Sequence, residues 1–192
     1  MDTPVRHGRP DVTTTEIVGG PEPLVVGLHE TDDTWPRVYR QHEQRIREAL
    51  GDGFDVAVEH IGSTAVPGLA AKPIVDLVVV VPDVADEAAY LDALLGAGYE
   101  LRVREPGHRL VRTPERDVHV HVYQQGAPAV DAYLLLRDHL RTVAADRALY
   151  EQTKRDLLTR RWDDMNAYAD AKTAVIEAIK ERARARRRSE GA

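Results

Sequence analysis

The stretch "EHIGSTAVPGLAAKPIVDLVVVV", Glu59–Val81, decides how the chain is read. Its last third, from Ile74 to Val81, is β-branched nearly throughout, which predicts a central strand covered on both faces. Asp76 interrupts that run, and a carboxylate there is costly unless a partner offsets its burial. Upstream, Gly62-Ser63-Thr64 leaves one strand and enters a short, helix-prone segment. Glycine lets the backbone approach a ligand closely, and N–H groups at such a turn can cradle a phosphate, with the Ser63 and Thr64 hydroxyls as further donors. An ordinary connecting turn has the same composition, so the triplet alone decides nothing. Asp76 beside it suits Mg²⁺, which takes one or two carboxylates and completes its shell with water and phosphate oxygens. An internal pair with arginine is the structural alternative. Lys72 can reach the same phosphates as a point charge, or stand as a surface lysine.

Outward from this stretch the chain alternates strands and helices. "PLVVGL", Pro23–Leu28, predicts a short first strand. A helix follows from Asp33 or Thr34 as cap, with Pro36 in the first turn and Val38, His42, Ile46, Ala49 and Leu50 on one face, and the Gly51-Asp52-Gly53 run ends it. "FDVAVEHIG" alternates with period two, and His60 in it reads as a hydrogen-bonded structural histidine. Asp83 is positioned to cap a helix to about Leu95, with Val84, Ala88, Leu91, Leu94 and Leu95 inward. "YELRVRE", "HRLVRT" and "DVHVHVY" predict three further short strands in an antiparallel meander. In the last of these, His119 and His121 share a face with Asp117, while Val118, Val120 and Val122 take the other and make core. Metal ligation, general-base work and a polar exposed face all remain open for the histidine pair.

From Ala129 the sequence is free of proline and glycine up to the tail, and three helices are expected near 129–142, 144–161 and 163–187. They carry Arg137 and the pairs Tyr150/Lys154 and Tyr168/Lys172, each pair on one helix face. Solvated surface charge is the plain reading; a clamp on an anionic ligand is the functional one. The elements together predict an α/β or α+β domain. The expected organisation is a disordered leader over 1–22, an α/β core over 23–128, a helical subdomain over 129–187 and a disordered tail over 188–192.

Composition narrows the function classes. The 192 residues carry a formal net charge of −6, so the body lacks the basic footprint of a nucleic-acid binder, and the arginine-rich "ERARARRRSEGA" reads as a solvated helix end. The absence of cysteine excludes disulfides, thiolate metal sites and a cysteine nucleophile, and accords with a reducing cytoplasm. No apolar segment of signal-peptide or membrane-spanning character is expected.

The segment "HIGSTAVPGLAAKPIVDL" resembles the GrpB family, as do the Trp-Pro of "TWPRVY", the "HVHV" strand, "LLRDHLR" and the Tyr–Lys helices. The resemblance covers roughly residues 24–180. It implies a fold similar to the nucleotidyltransferase superfamily, with a mixed sheet and a C-terminal helical segment; a related domain is fused to dephospho-coenzyme A kinase in some bacteria. The superfamily pattern asks for an apolar residue, Gly, then Gly or Ser, followed by Asp-apolar-acid-apolar. Ile61, Gly62, Ser63 and Asp76 fit it, but Val78 stands where the second acid belongs. Two such carboxylates normally bridge two metal ions. The expectation is therefore a modified site: Asp76 with His119 and His121 as catalytic and metal-holding groups, and Gly62, Ser63, Thr64 and Lys72 on the triphosphate of an NTP. Imidazole ligation shifts the preferred cation from Mg²⁺ toward Mn²⁺ or Zn²⁺. Arg137, Tyr150, Lys154, Tyr168 and Lys172 would bind an anionic small-molecule acceptor. The alternatives are a nucleotide- or cofactor-binding module that has lost the chemistry, and a structural or interaction protein.

Overall fold

The computed structural model describes residues 11–20, 27–51, 57–160 and 171–191. One mixed sheet organises them. Its strands are β1 (Glu16–Ile17), β2 (Val58–Ile61), β3 (Val75–Val81), β4 (Glu100–Glu105), β5 (His108–Arg112) and β6 (Val118–Gln124), in the order β1-β4-β5-β6-β3-β2. The β3–β6 pair is parallel and the other pairs are antiparallel. The helices are α1 (Trp35–Leu50), α2 (Leu91–Gly96), α3 (Pro128–Thr142), α4 (Ala144–Leu158) and α5 (Thr173–Glu190). None of these is long and apolar enough to cross a membrane.

Period-two patterning sends alternate residues of β3 and β6 into two different environments. Leu77 and Val79 of β3 join Val118, Val120 and Val122 of β6 in the main core, under Trp35, Ile46 and Leu50 of α1 and Leu91 and Leu94 of α2. Burying each such side chain contributes about 1.5–3 kcal/mol. On the other face a smaller cluster of Val66, Leu69, Leu140, Tyr150 and Ile179 seats the C-terminal helices on the loop between β2 and β3. That loop carries the sequence motif, so the helices and the motif are held as one unit. The pattern Asp76, Val78, Val80 belongs to this second face, with Val78 fully buried.

Several boundaries differ from the sequence reading. The leader is not disordered over 11–20: β1 pairs with β4, and Asp11 is clipped to the sheet. The cause is electrostatic. Arg109 is 2% exposed and donates from Nη2 to Asp11 Oδ1 at 2.6 Å and from Nε to Glu87 Oε1 at 2.6 Å. Gly107 N–H donates to Asp11 Oδ2 at 2.6 Å. Burial raises the Asp11 carboxyl, but the hydrogen bonds from Gly107, Arg109 and Val12 outweigh it and hold the group below its usual range. The arginine-rich tail is helical to Glu190 rather than disordered from 188, supported by the one-turn pair Arg186–Glu190 at 2.7 Å. The helix expected after Asp83 is instead a short 3₁₀ turn at Glu87–Ala89 followed by α2, and Leu95 is 39% exposed rather than inward. Residues 23–26 of the first expected strand, 54–56 of the second, and 163–170 of the last helix lie outside the described residues.

Replacing Arg109 with methionine strands Asp11 and weakens the hold on Glu87. Breaking a buried ion pair from one side costs about 3–5 kcal/mol, so R109M is expected to lower the urea midpoint accordingly. Limited proteolysis should at the same time cut the segment around β1 faster than in the wild type.

Candidate functional site

The loop between β2 and β3 begins with a backbone constraint. Gly62 has φ 73° and ψ −171°, a region that only glycine occupies without strain. A Cβ there would also lie 2.6 Å from Asp76 Oδ2. Glycine is thus required twice, by its dihedrals and by the carboxylate packed against it. Ile61 is the register partner of Asp76, which explains the close approach. A 3₁₀ turn over Ser63–Ala65 follows, with Gly62 exposed and Ser63 half-buried. Thr64 is buried; its hydroxyl donates to Ile74 O at 3.2 Å and accepts from His60 Nε2 at 3.1 Å. His60 stacks on Tyr39 and is pushed down to about 4 by burial, so it is the structural histidine expected. The Thr64 hydroxyl is likewise used within the loop.

The parallel ladder pairs Asp76 with His119 and Val78 with His121, so both imidazoles share the Asp76 face. His119 Nδ1 lies 3.6 Å and His121 Nε2 3.7 Å from Asp76 Oδ1. Burial lowers the His119 pKa, against the opposing pull of Asp76. Asp117 does not join them: it is exposed and accepts the Thr113 hydroxyl at 2.6 Å. One carboxylate and two imidazoles thus share one face of the sheet, with a nitrogen of each ring within 3.7 Å of Asp76 Oδ1. Among the described residues no group of three or more His, Asp or Glu side chains is arranged to hold a metal ion, so a cation here would have to take most of its ligands from water or a bound molecule. Val78, at the position where the resemblance asks for a second acid, is fully buried and offers no ligand atom.

Behind His121 stands His108, which the sequence reading passed over. His108 Nε2 is 3.0 Å from His121 Nδ1, and His108 Nδ1 is 2.6 Å from Glu105 Oε1. Burial, aided by the neighbouring His121, pushes His108 down to about 4. Tyr123 stacks on His108 at 4.5 Å between centroids, and Tyr133 from α3 leans over His121 at 5.9 Å. A period-two reading of "HRLVRT" puts His108, Leu110 and Arg112 on one face. Only the β5–β6 register shows that this face is the one bearing His119 and His121.

A cationic rim borders the same carboxylate. Lys154, 3% exposed, donates to Ser63 Oγ at 3.1 Å and to Ala70 O, and its ammonium sits 4.9 Å from the Tyr150 ring. Burial drops its pKa to about 7. Lys172 and Lys72 are also lowered by burial, Lys172 feels the charge of Lys72, and both are drawn upward by Asp76. Burial thus disfavours the charged form of all three lysines. Of the residues expected at an acceptor, Lys154 reaches the Gly62–Ser63 turn through Ser63 Oγ, and Lys172 lies within electrostatic range of Asp76 and Lys72. Arg137 is engaged elsewhere: it donates to Glu59 Oε2 at 2.7 Å and to His60 O at 3.0 Å, fastening α3 to β2. Tyr150 is buried beneath Lys154, and Tyr168 lies outside the described residues.

Known proteins share this fold. The crystal structure of the conserved protein GrpB from Enterococcus faecalis superposes with a TM-score of 0.70 at 30% identity, covering 81% of this chain and 96% of that one. The MgGTP-bound Cid1 poly(U) polymerase superposes with a TM-score of 0.51 at 15% identity, over 69% of this chain and 45% of that one. At that identity the likeness is one of fold, and the fold is nucleotidyltransferase-like. A UPF0157 protein from Streptomyces coelicolor is 67% identical over 180 residues, which cover 94% of this chain and 96% of that protein. The family described as GrpB protein matches residues 25–182, and the chain belongs to it.

Proposed function

We propose that the protein binds a nucleoside triphosphate with one divalent cation, Mg²⁺ or Mn²⁺, and transfers its nucleotidyl group to an anionic small-molecule acceptor. The observation that carries this reading is the convergence of the Gly62–Ser63 turn, Asp76 with its two histidines, and Lys72, Lys154 and Lys172 on one side of the sheet. Transfer joins an acceptor oxygen to the α-phosphorus and releases pyrophosphate. In this reading the exposed Gly62 backbone, the Ser63 hydroxyl and the lysines hold the triphosphate. Asp76 and His121 would hold the cation, which supplies charge neutralisation at the phosphates. His119, kept neutral by its burial, can take the acceptor's proton. Glycine at 62 leaves room for the Asp76 carboxylate. A cytoplasmic location, where NTPs and a reducing milieu coexist, belongs to the same proposal.

Val78 favours a second reading, in which the chain binds nucleotide without turning it over. Fully buried, it cannot be replaced by a carboxylate without repacking, so any catalysis runs with one acid where two are usual in this kind of site.

Pyrophosphate release, measured over a panel of NTPs, acceptors and both cations, separates the readings. Transfer predicts release that falls roughly a hundredfold or more in D76N; nucleotide affinity with no release under any condition selects the binding module. G62A is expected to abolish cation-dependent nucleotide binding in calorimetry, since its methyl group displaces Asp76, while strain lowers stability by about 1–3 kcal/mol.

Lys154 gives a test by pH. Its ordinary value of 10.5 falls to about 7 on folding, so between these values the unfolded chain binds a proton that the folded chain does not. The penalty is fully present below pH 7 and fades as pH rises. Wild type should therefore gain about 2 kcal/mol of stability relative to K154M from about pH 6 to 9, in paired urea titrations. Nucleotide affinity should fall over the same interval in the wild type and stay flat in K154M.

A further inference from the structure

We propose that Glu105 and His108 are positioning residues that fix the tautomer of His121 and aim its Nε2 lone pair at Asp76. The inference rests on the cation reading above and gives it a donor of defined chemistry.

The His108 and His121 rings have centroids 5.2 Å apart and planes within 14° of each other. Their facing nitrogens are 3.0 Å apart. A separation that large between near-parallel rings, with nitrogens that close, describes two imidazoles edge to edge in one plane, which is a well-aligned hydrogen bond. Its direction follows from the far end of the chain. A carboxylate accepts and does not donate, so Glu105 Oε1 at 2.6 Å takes the proton of His108 Nδ1. The neutral His108 ring then has its lone pair on Nε2, and the bond to His121 requires the proton to be on His121 Nδ1. In neutral His121 the remaining nitrogen, Nε2, carries a lone pair.

That lone pair faces Asp76 Oδ1 at 3.7 Å with no proton of its own to share. Two acceptors held toward each other at this range form a seat for a positive charge. The same logic governs metal-binding histidines, where the second ring nitrogen is anchored by a carboxylate or carbonyl and the first is thereby kept free to ligate. Here the anchor is relayed through a second imidazole. Stacking of Tyr123 on His108 at 4.5 Å holds the relay ring in place. Because one donor is an imidazole nitrogen, the seat favours Mn²⁺ or Zn²⁺ over Mg²⁺.

The test uses the metal-free full chain first. Long-range ¹H–¹⁵N spectra of the imidazoles should show His121 protonated at Nδ1 in the wild type. In H108F, which keeps a ring against Tyr123 but offers no acceptor, that preference should be lost; in E105A it should weaken. Calorimetry with Mn²⁺ and Zn²⁺ should then give affinities roughly 10–100-fold weaker for H108F, as for loss of other groups behind a metal ligand. Unchanged melting temperature in E105A guards against simple misfolding as the cause. His121 protonated at Nε2 in the wild type, or an unchanged tautomer in H108F, would overturn the relay. If the wild type binds neither cation while the tautomer is as stated, the cation reading fails and the relay stands.

Discussion

Everything at this site depends on the parallel register of β3 with β6. Asp76 opposite His119 and Val78 opposite His121 place one carboxylate and two imidazoles on the same face, while the valines between them fill the core. A slip of one residue would turn Asp76 into that core and the valines outward, so burial of the valines fixes the position of the polar groups. The β2–β3 pairing adds the other constraint, because Ile61 opposite Asp76 brings Gly62 against the carboxylate. Stability and site geometry thus share one set of contacts.

The electrostatics have the same economy. Burial lowers the pKa of Lys72, Lys154 and Lys172, and Lys172 is repelled by Lys72 and in turn repels Lys154. Elsewhere, Arg109 on the far side of the sheet and Arg182, which holds Asp146 at 2.7 Å, are fastened in ion pairs.

Much of this was legible in the sequence, and the missing parts share a cause. Period two in "DVHVHVY" is enough to place His119 and His121 together and Val118, Val120 and Val122 in the core, because strand geometry is local. The apolar run after Asp76 marks a central strand for the same reason. His108 was missed because its relevance depends on which strand lies beside which, and no local pattern in "HRLVRT" encodes that. Lys154 was visible as a cation on a helix face, but its place at Ser63 rather than at an acceptor depends on how α4 docks. The leader was misread for a related reason. A polar, glycine- and threonine-rich segment has no apolar periodicity, and its anchor is a buried arginine almost a hundred residues away, bonded to Asp11. Thr64 shows the converse: a hydroxyl in a motif of phosphate-binding character is committed to the loop's own hydrogen bonds.

Val78 ties fold to chemistry most tightly. The nucleotidyltransferase-like sheet forms with Val78 fully buried two residues along β3 from Asp76, so the apolar ladder around it is what the fold requires. What stands next to that valine is an imidazole, His121, connected through His108 to a carboxylate at Glu105.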